Sequence, residues 1–158
     1  MRTLLRMGTS LLLVTAAACG GDNTGPGDNT NGDMSAKIAG SSWTSAATFA
    51  NRTAAGGAGT IIALSGATPD GTTIAMAFFD AGPGDYPIGT ASGTNAILTE
   101  PGSKSWGASA LGGDGIITVT TLDATHVVGT FSFNAIATQG TGASGTRAVT
   151  NGSFDINF

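Results

Sequence analysis

One cysteine and one histidine occur among the 158 residues, and that scarcity removes several chemistries at once. A lone cysteine cannot close an intrachain disulfide, and one His with one Cys falls short of the four ligands of a structural zinc site. Nucleophilic catalysis needs a base beside the nucleophile, and the single candidate base, His126, reads as an exposed turn residue between Thr125 and Val127. No Gly-x-Ser-x-Gly elbow is present, so no catalytic residue is assigned and the chain is not expected to be an enzyme. Charge is equally sparse, at 10% of residues. Beyond residue 18 the bases are Lys37, Arg52, Lys104 and Arg147 against ten acids, a net charge of −6. With no basic patch to hold phosphates, nucleic acid and anionic lipid headgroups are poor partners. Outside the leader no window carries the 3.6-residue period of an amphipathic helix.

What the chain does have begins with an export signal over residues 1–18. Arg2 and Arg6 form a positive start, Leu11-Leu12-Leu13-Val14 an apolar core, and Ala16-Ala17-Ala18 a small-residue cleavage site. The apolar run is far shorter than the ~20 residues that span a bilayer. Cys19 follows at once, and Thr-Ala-Ala-Ala-Cys-Gly-Gly-Asp resembles a bacterial lipobox, with Ala16 standing where Leu is usual. Ordinary signal-peptidase cleavage would instead leave a lone exposed thiol in an oxidising compartment. Cys19 is therefore the expected lipidation site, and two or more acyl chains there would hold the protein stably on a membrane. Gly rather than Asp after the Cys leans towards an outer membrane, with the domain facing the periplasm or the cell surface.

Residues 19–33 read as the lipidated Cys and a flexible linker, because Gly, Asn, Asp, Thr and Pro offer no apolar side chain to repay ordering. Asp28, Thr30, Gly32 and Asp33 faintly resemble a calcium loop, without its distal Glu. The domain is placed at 34–158.

Gly115 to Ala135 organises that domain. Val127, Phe131, Phe133 and Ala135 share one parity and Val128, Thr130, Ser132 and Asn134 the other, the two-residue period of a strand with one buried face. Phe154, Ile156 and Phe158 repeat the pattern at the C-terminus. Further strands are expected at 34–39, 43–49, 59–66 and 72–79, a short edge strand around Pro87, and a weaker pair at 95–99 and 105–111. Thr68-Pro69-Asp70-Gly71 is the clearest turn, and residues 52–59 read as a loop. About ten short strands with closely spaced turns predict an all-β domain, an antiparallel sandwich or flattened barrel.

Across 34–158 the pattern resembles an uncharacterised family of bacterial secreted lipoproteins known only as a domain of unknown function. The likeness rests on Ala36-Lys37-Ile38-Ala39-Gly40 with Trp43 and on Asp70-Gly71-Thr72-Thr73-Ile74. Gly84-Asp85-Tyr86-Pro87-Ile88-Gly89, Gly129-Thr130-Phe131-Ser132-Phe133 and Val149-Thr150-Asn151-Gly152-Ser153-Phe154 complete it. It implies a small β-rich envelope domain and supplies no catalytic residue or ligand.

Candidate ligand contacts are the aromatic side chains able to stack on a sugar or peptide: Trp106 in a polar setting, Tyr86 and Trp43. Each has core burial as its plainer reading. Asp80 and Asp85 could hold a calcium ion with loop carbonyls; no other metal and no cofactor is expected. The resulting expectation is a lipid-anchored cell-envelope domain that binds or scaffolds an extracytoplasmic glycan or protein. The alternative is a carbohydrate-active enzyme working with the loop carboxylates Asp80, Asp85, Glu100 and Asp114.

Overall fold

Asp123 closes the hairpin that seeds the core. Its backbone N–H donates to His126 O at 3.0 Å, and its carboxylate accepts the Thr125 N–H at 2.9 Å and the Thr125 hydroxyl at 3.1 Å, the side-chain turn that Asp favours. Strands β9 (Asp114–Leu122) and β10 (His126–Ala137) leave this turn. Phe131, Phe133 and Ala135 point inwards and Thr130 and Asn134 outwards, as the two-residue period requires. The computed structural model describes residues 31–89 and 93–158. The leader, Cys19 and the linker up to Thr30 lie outside the described residues.

The other strands are β1 (Gly32–Ile38), β2 (Ser41–Thr44), β3 (Ala47–Ala54), β4 (Thr60–Ala67), β5 (Thr73–Phe79) and β6 (Gly84–Ile88). They are followed by β7 (Asn95–Glu100), β8 (Lys104–Ala108) and, at the C-terminus, β11 (Thr146–Asn157). A short 3₁₀ turn at Gly56–Ala58 joins β3 to β4. All pairings are antiparallel, along the path β2-β1-β11-β10-β8-β7-β5-β4-β3, with β9 pairing β10 and β6.

β10 makes this one curled sheet rather than two. Val127 to Asn134 pair with β9, while Ile136 and Ala137 pair with β8. The layer β6-β9-β10-β11-β1-β2 therefore turns over into the layer β8-β7-β5-β4-β3. The far ends of the path meet at Ser45, which is buried between β2 and β3: its N–H donates to Met34 O at 2.9 Å and its hydroxyl accepts the Met34 N–H at 3.1 Å. Between the layers lie Trp106, Phe78, Phe154, Met34 and Leu98, each fully buried. Phe131 stacks with Phe133 and with Phe154 at centroid distances of 6.3 Å. The result is the expected all-β sandwich or flattened barrel.

Several boundaries differ from the sequence reading. β1 starts at Gly32, inside the expected linker, because that glycine pairs with Ile156 where an added Cβ would lie 2.0 Å from Asp155 O. The strand expected over 43–49 breaks at Ser45 and Ala46, where the chain turns the corner between layers. β3 continues through Arg52, where a loop was expected, because β4 pairs with it as far as Ala54 opposite Thr60. The corner raises the expected ten strands to eleven. Phe158 follows the last strand instead of extending it: it is 36% exposed, with the Arg52 guanidinium 4.2 Å from its ring centroid. Pro87 lies in β6, which pairs only with β9, on the edge that a residue lacking an N–H requires.

The strand directions give the molecule two distinct ends. At one end lie Asn31, the β9–β10 turn and the C-terminus, tied together by Asn157 N–H to Asn31 O at 2.7 Å and Phe158 N–H to Thr125 O at 2.9 Å. At the other end lie the β1–β2, β4–β5 and β7–β8 turns and the start of β11.

Candidate functional site

The Thr68-Pro69-Asp70-Gly71 turn builds one wall of a cleft at that second end. Gly71 N–H donates to Thr68 O at 3.0 Å, and Gly71 takes φ +90°, a value open to glycine at little cost. The turn projects the Asp70 carboxylate, which accepts from the hydroxyl of Thr68, the N–H of Thr72 at 3.1 Å and the Thr72 hydroxyl at 3.3 Å. Those donors, the Thr68 hydroxyl foremost and then the Thr72 N–H, hold its pKa below the ordinary carboxylate value against a weaker desolvation effect. The β1–β2 hairpin supplies Ile38, Ser41, Ser42 and Trp43 opposite, and Glu100, Pro101 and Arg147 complete a cleft of about 600 Å³. That volume is in the range of small-ligand sites.

Among the described residues, Arg147 is the only cation that lines the cleft. Its Nε donates to Glu100 Oε1 at 3.1 Å, and its guanidinium lies 4.3 Å from the centroid of the Trp106 ring. Trp106 is buried beneath it and donates from Nε1 to Ser144 O at 3.2 Å, which fastens the loop over residues 138–145. Trp43 packs its ring tip against Gly66, where an added Cβ would lie 2.9 Å from Cη2; its Nε1 is buried without a hydrogen-bond partner among the described residues. The cleft thus offers a fixed guanidinium, two carboxylates, the Ser41, Ser42 and Thr72 hydroxyls and one indole edge. This set can engage a polar, hydroxyl-bearing or peptide-like group.

The aromatic candidates are corrected by their burial. Trp43, Tyr86 and Trp106 are exposed by only 7%, 8% and 1%, so none presents the open ring face that stacking on a sugar requires. In a chain this poor in aromatics, the core takes the largest apolar groups it has. Trp43 lines the cleft and Trp106 supports it through Arg147, but Tyr86 is elsewhere: its ring lies 4.4 Å from Phe78, and its hydroxyl accepts from Ala81 N–H and donates to Gly82 O.

Asp80 and Asp85 are turned to separate tasks. The first accepts the Gly82 N–H at 3.1 Å within its own loop; the second accepts the Thr118 hydroxyl at 2.7 Å on β9. The described residues hold no group of three or more His, Cys, Asp and Glu side chains able to share a metal ion. Asp114 accepts from Asn134 Nδ2 at 2.8 Å, so Asp80, Asp85, Glu100 and Asp114 do not converge. His126 lies 2.5 Å from Asp155 Oδ1 across the β10–β11 ladder, away from the cleft.

Arg147 is the cleft residue that the sequence reading passed over. Its signal was scarcity, as one of four bases beyond residue 18, set directly after a polar loop. No helix among the described residues is long and apolar enough to cross a membrane.

Neither a curated protein nor a solved structure matches the chain. The family model described as "Domain of unknown function (DUF6252)" matches residues 30–155, which takes in all but the last two residues of β11 and everything that lines the cleft, and the chain belongs to that family.

Proposed function

We propose that this chain is an exported lipoprotein, anchored to a bacterial outer membrane through Cys19, whose domain binds or scaffolds an extracytoplasmic glycan or protein at the cleft around Arg147 without catalysing a reaction on it. The observation that carries this reading is the separation of the two ends of the fold. Asn31, where the tether joins, lies at the opposite end of β1 from Ile38 and the cleft. Seven strand residues at ~3.3 Å each separate them by roughly 20 Å. An anchor at Cys19 therefore leaves the cleft on the side of the domain away from its attachment.

The enzyme alternative has less support in the cleft. Glycoside hydrolysis needs one carboxyl with a raised pKa to act as the acid, whereas Asp70 is held in the opposite direction and Glu100 is engaged by Arg147.

Two measurements test the proposal. Cys19→Ser should move the protein from the membrane fraction to the soluble fraction and abolish incorporation of labelled fatty acid; retention on membranes after a high-salt wash would overturn the anchor. On an array of envelope polysaccharides and peptides, binding by the Cys19→Ser protein should be lost in Arg147→Ala; binding that survives this substitution would remove the cleft from the proposal.

A further inference from the structure

Six large apolar side chains stand exposed among the described residues, and four of them, Phe49, Ile97, Leu111 and Ile136, share one face. The strand register aligns three of these in a single row. Phe49 is opposite Ser65, Ser65 opposite Ala75, Ala75 opposite Ile97, Ile97 opposite Gly107, and Gly107 opposite Ile136. The side chains of Phe49, Ile97 and Ile136, exposed by 55%, 43% and 42%, form ridges; a recess of about 310 Å³ lies between Phe49 and Ile97, and another of about 250 Å³ lies between Ile136 and Leu111. With strands ~4.8 Å apart, the row is roughly 24 Å wide. Leu111, 95% exposed, rims the second recess.

Charge divides the molecule in the same way. From Ala47 to Gly107 the outward positions of β3, β4, β5, β7 and β8 hold Ala, Gly, Ser, Thr, Asn, Phe and Ile, with no Asp, Glu, Lys or Arg. The other layer carries Asp33, Lys37, Asp85 and Asp155 outward. The chain enters the fold at the margin of the uncharged face: Asn31 Nδ2 donates to the carbonyl of Thr48, the residue before Phe49, at 3.4 Å.

We infer that this face rests on the bilayer that holds Cys19, with Phe49, Ile97, Leu111 and Ile136 at the headgroup boundary. The inference depends on the anchor proposed above. Twelve residue steps separate Cys19 from Asn31, and a Gly- and polar-rich chain of that length has an r.m.s. span of roughly 20 Å. That reach keeps the face continually within range of lipid, so docking becomes an intramolecular step at high effective concentration. An uncharged face loses no ionic hydration at the boundary, while the acidic layer stays in water. In this pose the cleft, at the end of the sheet, opens parallel to the membrane and remains accessible.

The test uses the mature lipidated protein on phosphatidylcholine vesicles, carrying an environment-sensitive fluorophore on Ile97→Cys or, on the opposite layer, Thr130→Cys. The label at position 97 should be quenched by a lipid-borne quencher, and its quenching by aqueous iodide should fall several-fold on attachment; the label at 130 should show neither effect. Adding Phe49→Ser and Ile136→Ser, both at exposed positions, should restore iodide access at position 97. Equal iodide access at both labels would overturn the inference. So would protection at 97 that grows with protein density and is absent from lipid quenching, since that pattern identifies a second copy of the chain as the occupant. Failure of the anchor itself is read separately, as the absence of fatty acid on Cys19.

Discussion

The guanidinium of Arg147 lies over the indole of Trp106, 4.3 Å from the ring centroid, while its Nε reaches Glu100 at 3.1 Å. One partly buried cation thus joins the start of β11, the end of β7 and a fully buried aromatic of β8. Arg147→Ala should lower unfolding free energy by about 1–2 kcal/mol. Most of that comes from the stack, because a side chain that is 33% exposed has its ion pair screened by solvent. Arg147→Lys should recover only part of the loss, since an ammonium does not stack as a planar fork does. Urea midpoints followed by tryptophan emission check both; equal stability of the Ala and wild-type proteins would show that the stack contributes nothing.

Gly129 marks a close backbone approach in the core. A Cβ there would lie 2.2 Å from Thr118 O and 2.6 Å from Cζ of Phe154, and the first obstacle is backbone that cannot rotate aside. Gly129→Ala should therefore cost at least about 2–3 kcal/mol. Gly57→Ala, where the added atom meets nothing within 4 Å, should stay within about 0.5 kcal/mol of wild type. Thermal midpoints of the two variants measured side by side decide the matter.

Much of this architecture can be read from the residues. The β9–β10 hairpin is visible because β-branched residues fill β9 and Phe131, Phe133 and Ala135 alternate with polar residues on β10, around an Asp-Ala-Thr turn. The β4–β5 turn is visible because Pro, Asp and Gly each favour their own position in it, and Pro87 identifies an edge. The corner at Ser45 is not visible, since no Gly or Pro marks it and the break is held by two hydrogen bonds to Met34, 11 residues earlier. The cleft is hidden for a related reason. Its walls come from four segments, around residues 38–43, 70–72, 100–101 and 147, and local pattern says nothing of how they meet.

Removal of residues 154–158 should abolish cooperative unfolding. Phe154 and Ile156 are exposed by 2% and 0%, and losing two such side chains costs roughly 5–10 kcal/mol, comparable with the whole stability of a domain of this size. Phe158→Ala, which removes only the half-exposed ring beneath Arg52, should cost about 1 kcal/mol or less. Circular dichroism melts separate the two outcomes.

Acid should weaken the fold through Asp70 and Asp123. Hydrogen bonds lower both folded-state pKa values, from the Thr68 hydroxyl and Thr72 N–H in the first case and from the Thr125 N–H and hydroxyl in the second. The unfolded chain then takes up these protons at higher pH than the folded one. The stabilisation is complete above about pH 5 and is lost as pH falls below about 4 through the folded values. Asp70→Asn with Asp123→Asn should be less stable than wild type at neutral pH, and the gap should narrow as pH is lowered towards 2–3. A constant gap across that range would show that the carboxylate charges are not responsible.

The pairing of β1 with β11 sets a rule for when the protein can mature. Met34 faces Phe154 and Lys37 faces Thr150, so the first strand waits for the last before its long edge is satisfied. A chain still emerging from the ribosome holds one half of that seam and cannot complete its shell. The shell therefore closes only once the residues of β11 are available to pair with β1.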